Sequence, residues 1–231
     1  MNVSAPLIDQ LIDKTDTFER VRDEIAAILL AETTNQKALA MAAGKPANEW
    51  ALNIYTERSD PWNEYLDLPE TLENPDEAPR VVNVWFNGLT FDMTGSNVVE
   101  SQKATAIYHV DCYAYAASAD ATLGHVPGDQ AANMRAHRTV RLVRNILMAA
   151  TYTYLGMRGV VVRRWINAID AFQPSANDRL AQSIGAARIS LQVEFSEFSP
   201  QVTGVPLELI STSVKRNGHT GQIYFTANYP H

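Results

Sequence analysis

The chain has 231 residues, a formal net charge of −7 and an apolar fraction of 46%, which are ordinary values for a globular domain. No apolar run approaches the roughly 18 residues of a membrane-spanning helix, and Met1 to Gln10 lacks the basic and apolar regions of a signal peptide. A single cysteine, Cys112, excludes an internal disulfide bond and a multi-cysteine zinc site. These features predict one domain over residues 1–231, made in the cytoplasm and not bound to a membrane.

Charge is divided unevenly along the chain. Residues 1–100 hold 18 acidic and 7 basic residues, a net charge of −11. Residues 101–231 hold 8 acidic and 12 basic residues, a net charge of +4. Such an asymmetry predicts an electrostatic contact within the molecule or between copies of it.

The N-terminal elements are predicted from helical and strand periodicity. Apolar residues at helical spacing predict a helix over Thr17–Ala31, with Asp16 as its N-cap. Thr33-Thr34-Asn35 predicts a weak break before a second helical piece, Gln36–Ala43. Alternating residues from Trp50 to Glu57 predict a strand.

An acidic, proline-rich segment follows from Ser59 to Pro79, and we call it the acidic arm. Its four prolines exclude a regular helix or a central strand. Between Asp60 and Glu77 it contains no Lys or Arg. Its aromatic and leucine side chains predict anchors that dock the arm on a surface. The predicted contact residues of the arm are Trp62, Tyr65, Leu68, Glu64, Asp67 and Glu70.

Alternation of apolar and polar residues predicts the main strands. They are Arg80–Asn87, ended by a turn at Asn87-Gly88, then Ala104–Ala116 and Ala187–Phe198. In the second strand the apolar face includes Cys112, and the opposite, outward face is predicted to carry His109, Asp111, Tyr113 and Tyr115. A weaker pair, Val205–Val214 and Gln222–Ala227, predicts a C-terminal strand extension over residues 200–231.

The segment between these strands concentrates positive charge. It predicts one helix over Gln130–Leu155, and then a strand and a turn over Val160–Ile169. From Gln130 to Ile169 there is no Asp or Glu, but there are seven arginines: Arg135, Arg138, Arg141, Arg144, Arg158, Arg163 and Arg164. The spacing predicts a helix with one buried face and one basic face. This basic face is either a solvated surface or the landing site of an acidic partner.

Motifs that carry catalysis are scarce. The chain contains no GxSxG, P-loop, GxGxxG or HExxH motif. The alternative is a small metal-dependent hydrolase in which His109 and Asp111, on one strand face, join His125, Asp129 or His137 around a divalent ion. The pI of about 5.2 argues against tight DNA binding. We expect a protein that is not an enzyme, with no cofactor, catalytic residue or metal ligand.

The order of elements resembles a known family. It combines the helix segment FERVRDEI, the strand segments RVVNVWF and YHVDCY, a long helix and the strand segment LQVEFSE. This layout, over roughly residues 15–200, resembles the tail terminator and neck proteins of tailed bacteriophages. The resemblance implies an α+β subunit with a mostly antiparallel sheet flanked by helices. It also implies a ring, hexameric in this family, that ends the tail tube and joins it to the head.

The resemblance sets the expected partners and location. They are other copies of the chain, the tail tube, and head-completion or connector proteins, in the tail or neck of a virion. DNA would pass through the ring without specific binding. Within that ring we expect the acidic arm to pack on a neighbouring copy, with Arg135, Arg138, Arg141 and Arg144 as its landing site. The greater length of this chain leaves open whether it is a terminator or another neck protein.

Overall fold

The computed structural model describes residues 14–65, 78–92, 101–121, 124–174 and 183–198, which all belong to one compact unit, Asp13–Ser199. These described residues form two helices and seven strands: α1 (Thr17–Ala42), β1 (Leu52–Thr56), β2 (Arg80–Phe91), β3 (Ser101–Tyr115), β4 (Ala119–Ala121), β5 (Gly124–Val126), α2 (Gly128–Leu147), β6 (Val161–Phe172) and β7 (Ile184–Phe198). Short 3-10 helices cover Asn48–Trp50, Pro61–Tyr65 and Ala150–Tyr152. The predicted strands at Val205–Val214 and Gln222–Ala227 lie outside the described residues.

Five strands form one mixed sheet in the order β1-β2-β3-β7-β6. β1 and β2 are parallel, and the other three pairs are antiparallel. β4 and β5 form a separate two-stranded ribbon. The α+β fold with a mostly antiparallel sheet is therefore confirmed.

Both helices pack on the same face of this sheet. The core joins Val21, Ile25 and Leu29 of α1 and Val143 and Leu147 of α2 with strand residues that include Val82, Tyr108, Val110, Leu191 and Phe195. The predicted inward face of β7 is confirmed, because Ile189, Leu191, Val193 and Phe195 are all fully buried. No helix among the described residues is long and apolar enough to cross a bilayer.

Helix α1 is longer than predicted. The predicted break at Thr33-Thr34-Asn35 is wrong, since the helix continues to Ala42. The hydroxyls of Thr33 and Thr34 donate to the carbonyls of Leu29 and Leu30, each four residues earlier, at 2.7 Å. These bonds satisfy the hydroxyls inside the helix, so two threonines do not interrupt it.

The N-terminus of α1 is capped from a distant strand. The carboxylate of Glu197, near the end of β7, accepts hydrogen bonds from the backbone N–H groups of Thr17 at 2.9 Å and Phe18 at 3.3 Å. Glu19 accepts a hydrogen bond from the backbone N–H of Asp16 at 3.1 Å. A negative charge at this end complements the helix macrodipole and joins the helix to the sheet.

Helix α2 is shorter than predicted, because it ends at Leu147 and not at Leu155. Its end is capped by Arg164 of β6, whose guanidinium donates to the carbonyls of Leu147 at 2.6 Å, Ala149 at 2.7 Å and Thr153 at 3.2 Å. The segment after α2, predicted as a strand and a turn, is one strand, β6, of 12 residues.

The predicted turn at Asn87-Gly88 is a bulge within β2, which continues to Phe91.

The first prediction concerns the register of β7. We expect Phe195→Asp to unfold the protein or to lower its melting temperature severely. The substitution removes a buried ring, which costs about 3–5 kcal/mol, and it leaves a carboxylate without a partner in the helix-facing core. Ser196→Asp, on the opposite face and in register with Lys103, is the matched control and should change the melting temperature little. Equal melting temperatures for the two variants would contradict this register.

The second prediction concerns the contact between α2 and β7. A Cβ atom on Gly185 would lie 2.4 Å from the backbone nitrogen of Asn133 in α2, so Gly185→Ala must displace the helix. We expect it to lower the free energy of unfolding by about 1–3 kcal/mol, as overpacking of a core does. Gly88→Ala is the control, since nothing lies within 4 Å of its Cβ position. Chemical denaturation of both variants checks this, and a Gly185→Ala protein as stable as the control would refute it.

Candidate functional site

Of the seven arginines, Arg158 is exposed, and the structure divides the other six by what they bind. Arg135 is 6% exposed and donates to two carbonyls of its own chain, Tyr115 at 2.7 Å and Ala78 at 3.3 Å. Arg163 forms an ion pair with Glu194 at 2.6 Å, and Arg164 caps α2. The expectation that Arg135 belongs to an exposed landing site is therefore wrong, because its guanidinium is buried inside the unit.

Three arginines of α2 remain on the surface. Arg138, Arg141 and Arg144 are exposed and follow one another at three-residue spacing, and we call them the arginine face. Arg144 donates to the side-chain oxygen of Asn145 at 3.4 Å. Within the described residues none of the three has an acidic partner at ion-pair distance. The arginine face is thus a surface of one sign on a chain whose net charge is −7.

The sheet face opposite the helices carries a buried ion pair. Asp111 of β3 is 2% exposed, and both its oxygens accept hydrogen bonds from Arg188 of β7, at 2.7 and 2.8 Å. The indole of Trp85 and the hydroxyl of Tyr113 also donate to Asp111, at 3.1 and 3.3 Å. Asp111 and Tyr113 do lie on the face away from the helix-packed core, but the prediction that this is an outward face is wrong at both positions, since both residues are buried.

Polar residues lie in register across all five strands at this level. The row runs through Tyr55, Asn83, Asp111, Arg188 and Asp170. Asn83 is 3% exposed. Its side-chain oxygen accepts from the backbone N–H of Arg58 at 3.2 Å, and its side-chain nitrogen donates to the carbonyl of Arg58 at 2.8 Å. These bonds fasten the turn after β1 to the centre of the sheet. The same turn holds Glu57 at φ 52°, a left-handed conformation that is costly for a residue with a side chain.

Arg188 lies between two aromatic rings. Its guanidinium carbon is 4.9 Å from the ring centroid of Trp85 and 5.0 Å from that of Phe172. The hydrogen bonds to Asp111 raise the pKa of Arg188 above its ordinary value. The pair lines a cleft of about 370 Å³, with Glu57, Arg58, Ser59, Trp62, Asn83, Trp85, Tyr113, Phe172, Gln173 and Pro174 around it.

This geometry bears on the metal-dependent alternative. Both oxygens of Asp111 are engaged by a guanidinium, which a divalent cation would have to displace. Burial, and then the charge of Arg188, lower the pKa of His109. Among the described residues no group of three or more His, Cys, Asp or Glu side chains is placed to hold a metal ion. Cys112 is fully buried, and burial raises the pKa of its thiol, which disfavours the nucleophilic thiolate.

The start of the acidic arm packs on its own chain. Tyr65 is 3% exposed, its hydroxyl donates to the carbonyl of Tyr113 at 3.0 Å, and the ring of Trp62 lies 5.6 Å from that of Tyr113. Glu64 forms an ion pair with Arg58 at 3.4 Å. Tyr65 therefore anchors the arm within one copy and is not exposed to a second one. Leu68, Asp67 and Glu70 lie outside the described residues, so their predicted contacts stay predictions.

Sequence reasoning did not identify Arg188, Trp85 or Asn83 as partners of Asp111. One signal was present, because Arg188 interrupts an apolar stretch of a strand and Asp111 interrupts another. Buried charges in proteins are usually paired, so two such interruptions predict that their strands are neighbours. Which strands pair, however, was known only from the sheet order.

Comparison with known proteins adds no family. No protein-family model matches the chain, and no curated protein matches it. The resemblance to tail terminator and neck proteins thus rests on the order of elements alone.

The third prediction concerns the Asp111–Arg188 pair. We expect Asp111→Ala to lower the free energy of unfolding by about 3–5 kcal/mol, because it leaves a partly buried guanidinium without its counter-charge. Asp170→Ala removes a carboxylate from the same row, but Asp170 is exposed, so this control should cost far less. Thermal denaturation compares the two variants. Similar melting temperatures would mean that the pair does not support the sheet.

Proposed function

We propose that this chain is a structural virion protein that forms a ring at the head–tail junction of a tailed bacteriophage. It would end the tail tube and join it to the head, in the tail or neck of the virion. The observation that carries the proposal is the arginine face, which is exposed and has no acidic partner among the described residues. A surface of one sign on a chain of opposite net charge favours contact with an acidic surface, and other copies of the chain supply one.

The physical argument for a ring concerns two unlike surfaces. If a basic patch on one copy contacts an acidic patch on the next, the contact is heterologous, and repeated rotation closes it into a ring or extends it into a filament. Exposed ion pairs contribute only about 0–1 kcal/mol each. The charges would therefore set which surfaces meet and in which orientation, and apolar contacts would supply most of the affinity.

The fold supports the subunit architecture of this proposal. A mixed sheet with two helices on one face agrees with the α+β subunit that the resemblance implies. Folds of this kind support many functions, so the fold is support for the architecture only.

The passage of DNA through the ring belongs to the same proposal. A duplex slides most freely past walls that do not bind its phosphates. Arginines that are engaged in contacts between copies do not bind those phosphates, so they favour the passage of DNA.

The fourth prediction tests the assembly. We expect light scattering after size exclusion to give several times the chain mass of 25.6 kDa, six times for a hexamer, and negative-stain images to show closed rings with a central opening. About 1 M salt should lower the fraction of ring only in part, since it reduces the Debye length to about 3 Å but leaves the apolar contacts in place. A single 25.6 kDa species at every protein concentration in low salt would refute the ring. Open filaments or compact dimers would refute it too.

A further inference from the structure

A second, smaller cleft lies beside the arginine face. It measures about 230 Å³ and is lined by Trp50, Arg80, Arg138, Arg141, Leu142 and Asn145. We call it the Trp50 cleft. Trp50 ends the 3-10 helix Asn48–Trp50 and is half-buried, as is Leu142 of α2. The cleft therefore combines an indole and a leucine side chain with two exposed guanidiniums.

This combination selects a particular ligand chemistry. Guanidiniums bind carboxylates through paired N–H donors, and Asn145 adds an amide that donates and accepts hydrogen bonds. The indole and Leu142 offer an apolar surface to a side chain between the carboxylates. An acidic peptide with leucine side chains fits these requirements, and a basic or purely apolar one does not.

The chain itself contains such a peptide, in residues 66–77 of the acidic arm. The sequence LDLPETLENPDE has five carboxylates, three leucines and no basic residue. Its charge is complementary to that of the Trp50 cleft, and both lie on every copy. A ring with a heterologous contact needs this arrangement, in which each copy carries a donor surface and an acceptor surface.

The residues that flank this peptide are held by their own unit. On one side, Tyr65 is buried and donates to the carbonyl of Tyr113. On the other side, Ala78 is buried and its carbonyl accepts from Arg135 of α2. Twelve residues between two fixed points have a contour that allows the middle to reach about 20 Å from them, at roughly 3.3 Å per residue. The peptide is thus long enough to contact a neighbouring copy while its ends stay anchored.

We infer that the Trp50 cleft receives residues 66–77 of a second copy, with carboxylates on Arg138 and Arg141 and a leucine on Trp50. This inference rests on the proposed ring and names the contact that closes it. Each copy gives its acidic peptide to one neighbour and receives that of the other.

The fifth prediction uses two charge-reversal variants with opposite effects on net charge. The first, Arg138→Glu with Arg141→Glu, makes the cleft acidic. The second, Glu70→Lys with Glu73→Lys, places two positive charges in the peptide and reduces its net charge from −5 to −1. Each variant alone should run as the 25.6 kDa chain, because the introduced side chains face side chains of their own sign: glutamates face the acidic peptide in the first variant, and lysines face Arg138 and Arg141 in the second. An equimolar mixture should recover the ring mass, because in alternating order the altered cleft of one variant meets the introduced lysines of the other, and the unaltered cleft meets an unaltered acidic peptide.

A quadruple variant with all four substitutions separates docking between copies from docking within one copy. If the peptide binds a second copy, both the mixture and the quadruple variant assemble. If it binds its own cleft, the mixture cannot restore the contact and only the quadruple variant behaves as wild type, which would overturn the inference.

Two further results keep the inference apart from the proposed function. A wild-type chain that is a monomer refutes the ring itself. A ring that forms in the wild-type chain and also in both single-surface variants keeps the proposed function and refutes this contact.

The matched control for charge is Arg20→Glu with Arg158→Glu, at two exposed arginines outside the cleft, and it should still assemble. Circular dichroism should show the same secondary structure for all variants at a temperature well below unfolding, since Arg138 and Arg141 are exposed.

Discussion

The carboxylate of Asp111 constrains the whole sheet. A negative charge that is 2% exposed must be neutralised by a partner in register, and Arg188 meets this need only if β3 and β7 are neighbours with their present alignment. A shift of one residue would turn Asp111 toward the helix-packed core. The same alignment places Phe195 and Leu191 under the helices, and it brings Glu197 to the first turn of α1. The Asp111–Arg188 ion pair, on the sheet face opposite the helices, is thus linked to the packing of both helices.

Much of the fold could be predicted from local patterns, and the failures have a common cause. Alternation correctly placed β3 and β7 and their apolar faces, because a period of two is a property of the strand alone. It could not tell whether the other face of β3 meets solvent, since that depends on remote parts of the chain such as Tyr65 and Arg188. Likewise the end of α2 at Leu147 is set by Arg164, seventeen residues on. Of the candidate site, Arg138, Arg141 and Arg144 were predicted as exposed, whereas Arg135 was not distinguished from them.

The arginines illustrate why a count of charges is a poor guide to a surface. Residues of identical type at regular spacing serve here as a buried donor to two carbonyls, a helix cap, a cross-strand ion pair and an exposed row. The first three use their N–H donors on partners within the subunit and so stabilise it. Among the described arginines of α2, the exposed row contributes an unbalanced field, which affects association rates and the choice of partner more than affinity. The functional proposal accordingly rests on three side chains rather than seven.

The close approach of Gly185 to the backbone of α2 has a consequence for recognition. The helix rests on the strand without a side chain between them, it is held by Arg135 near its middle, and it is clamped by Arg164 at its end. Such a helix cannot readily slide or rotate on the sheet. Its exposed guanidinium-bearing positions, Arg138 to Arg144, therefore keep a constant spacing of about 9 Å along the axis, at 1.5 Å per residue. A partner meets a preorganised surface, so little of the entropy cost of association falls on ordering this backbone.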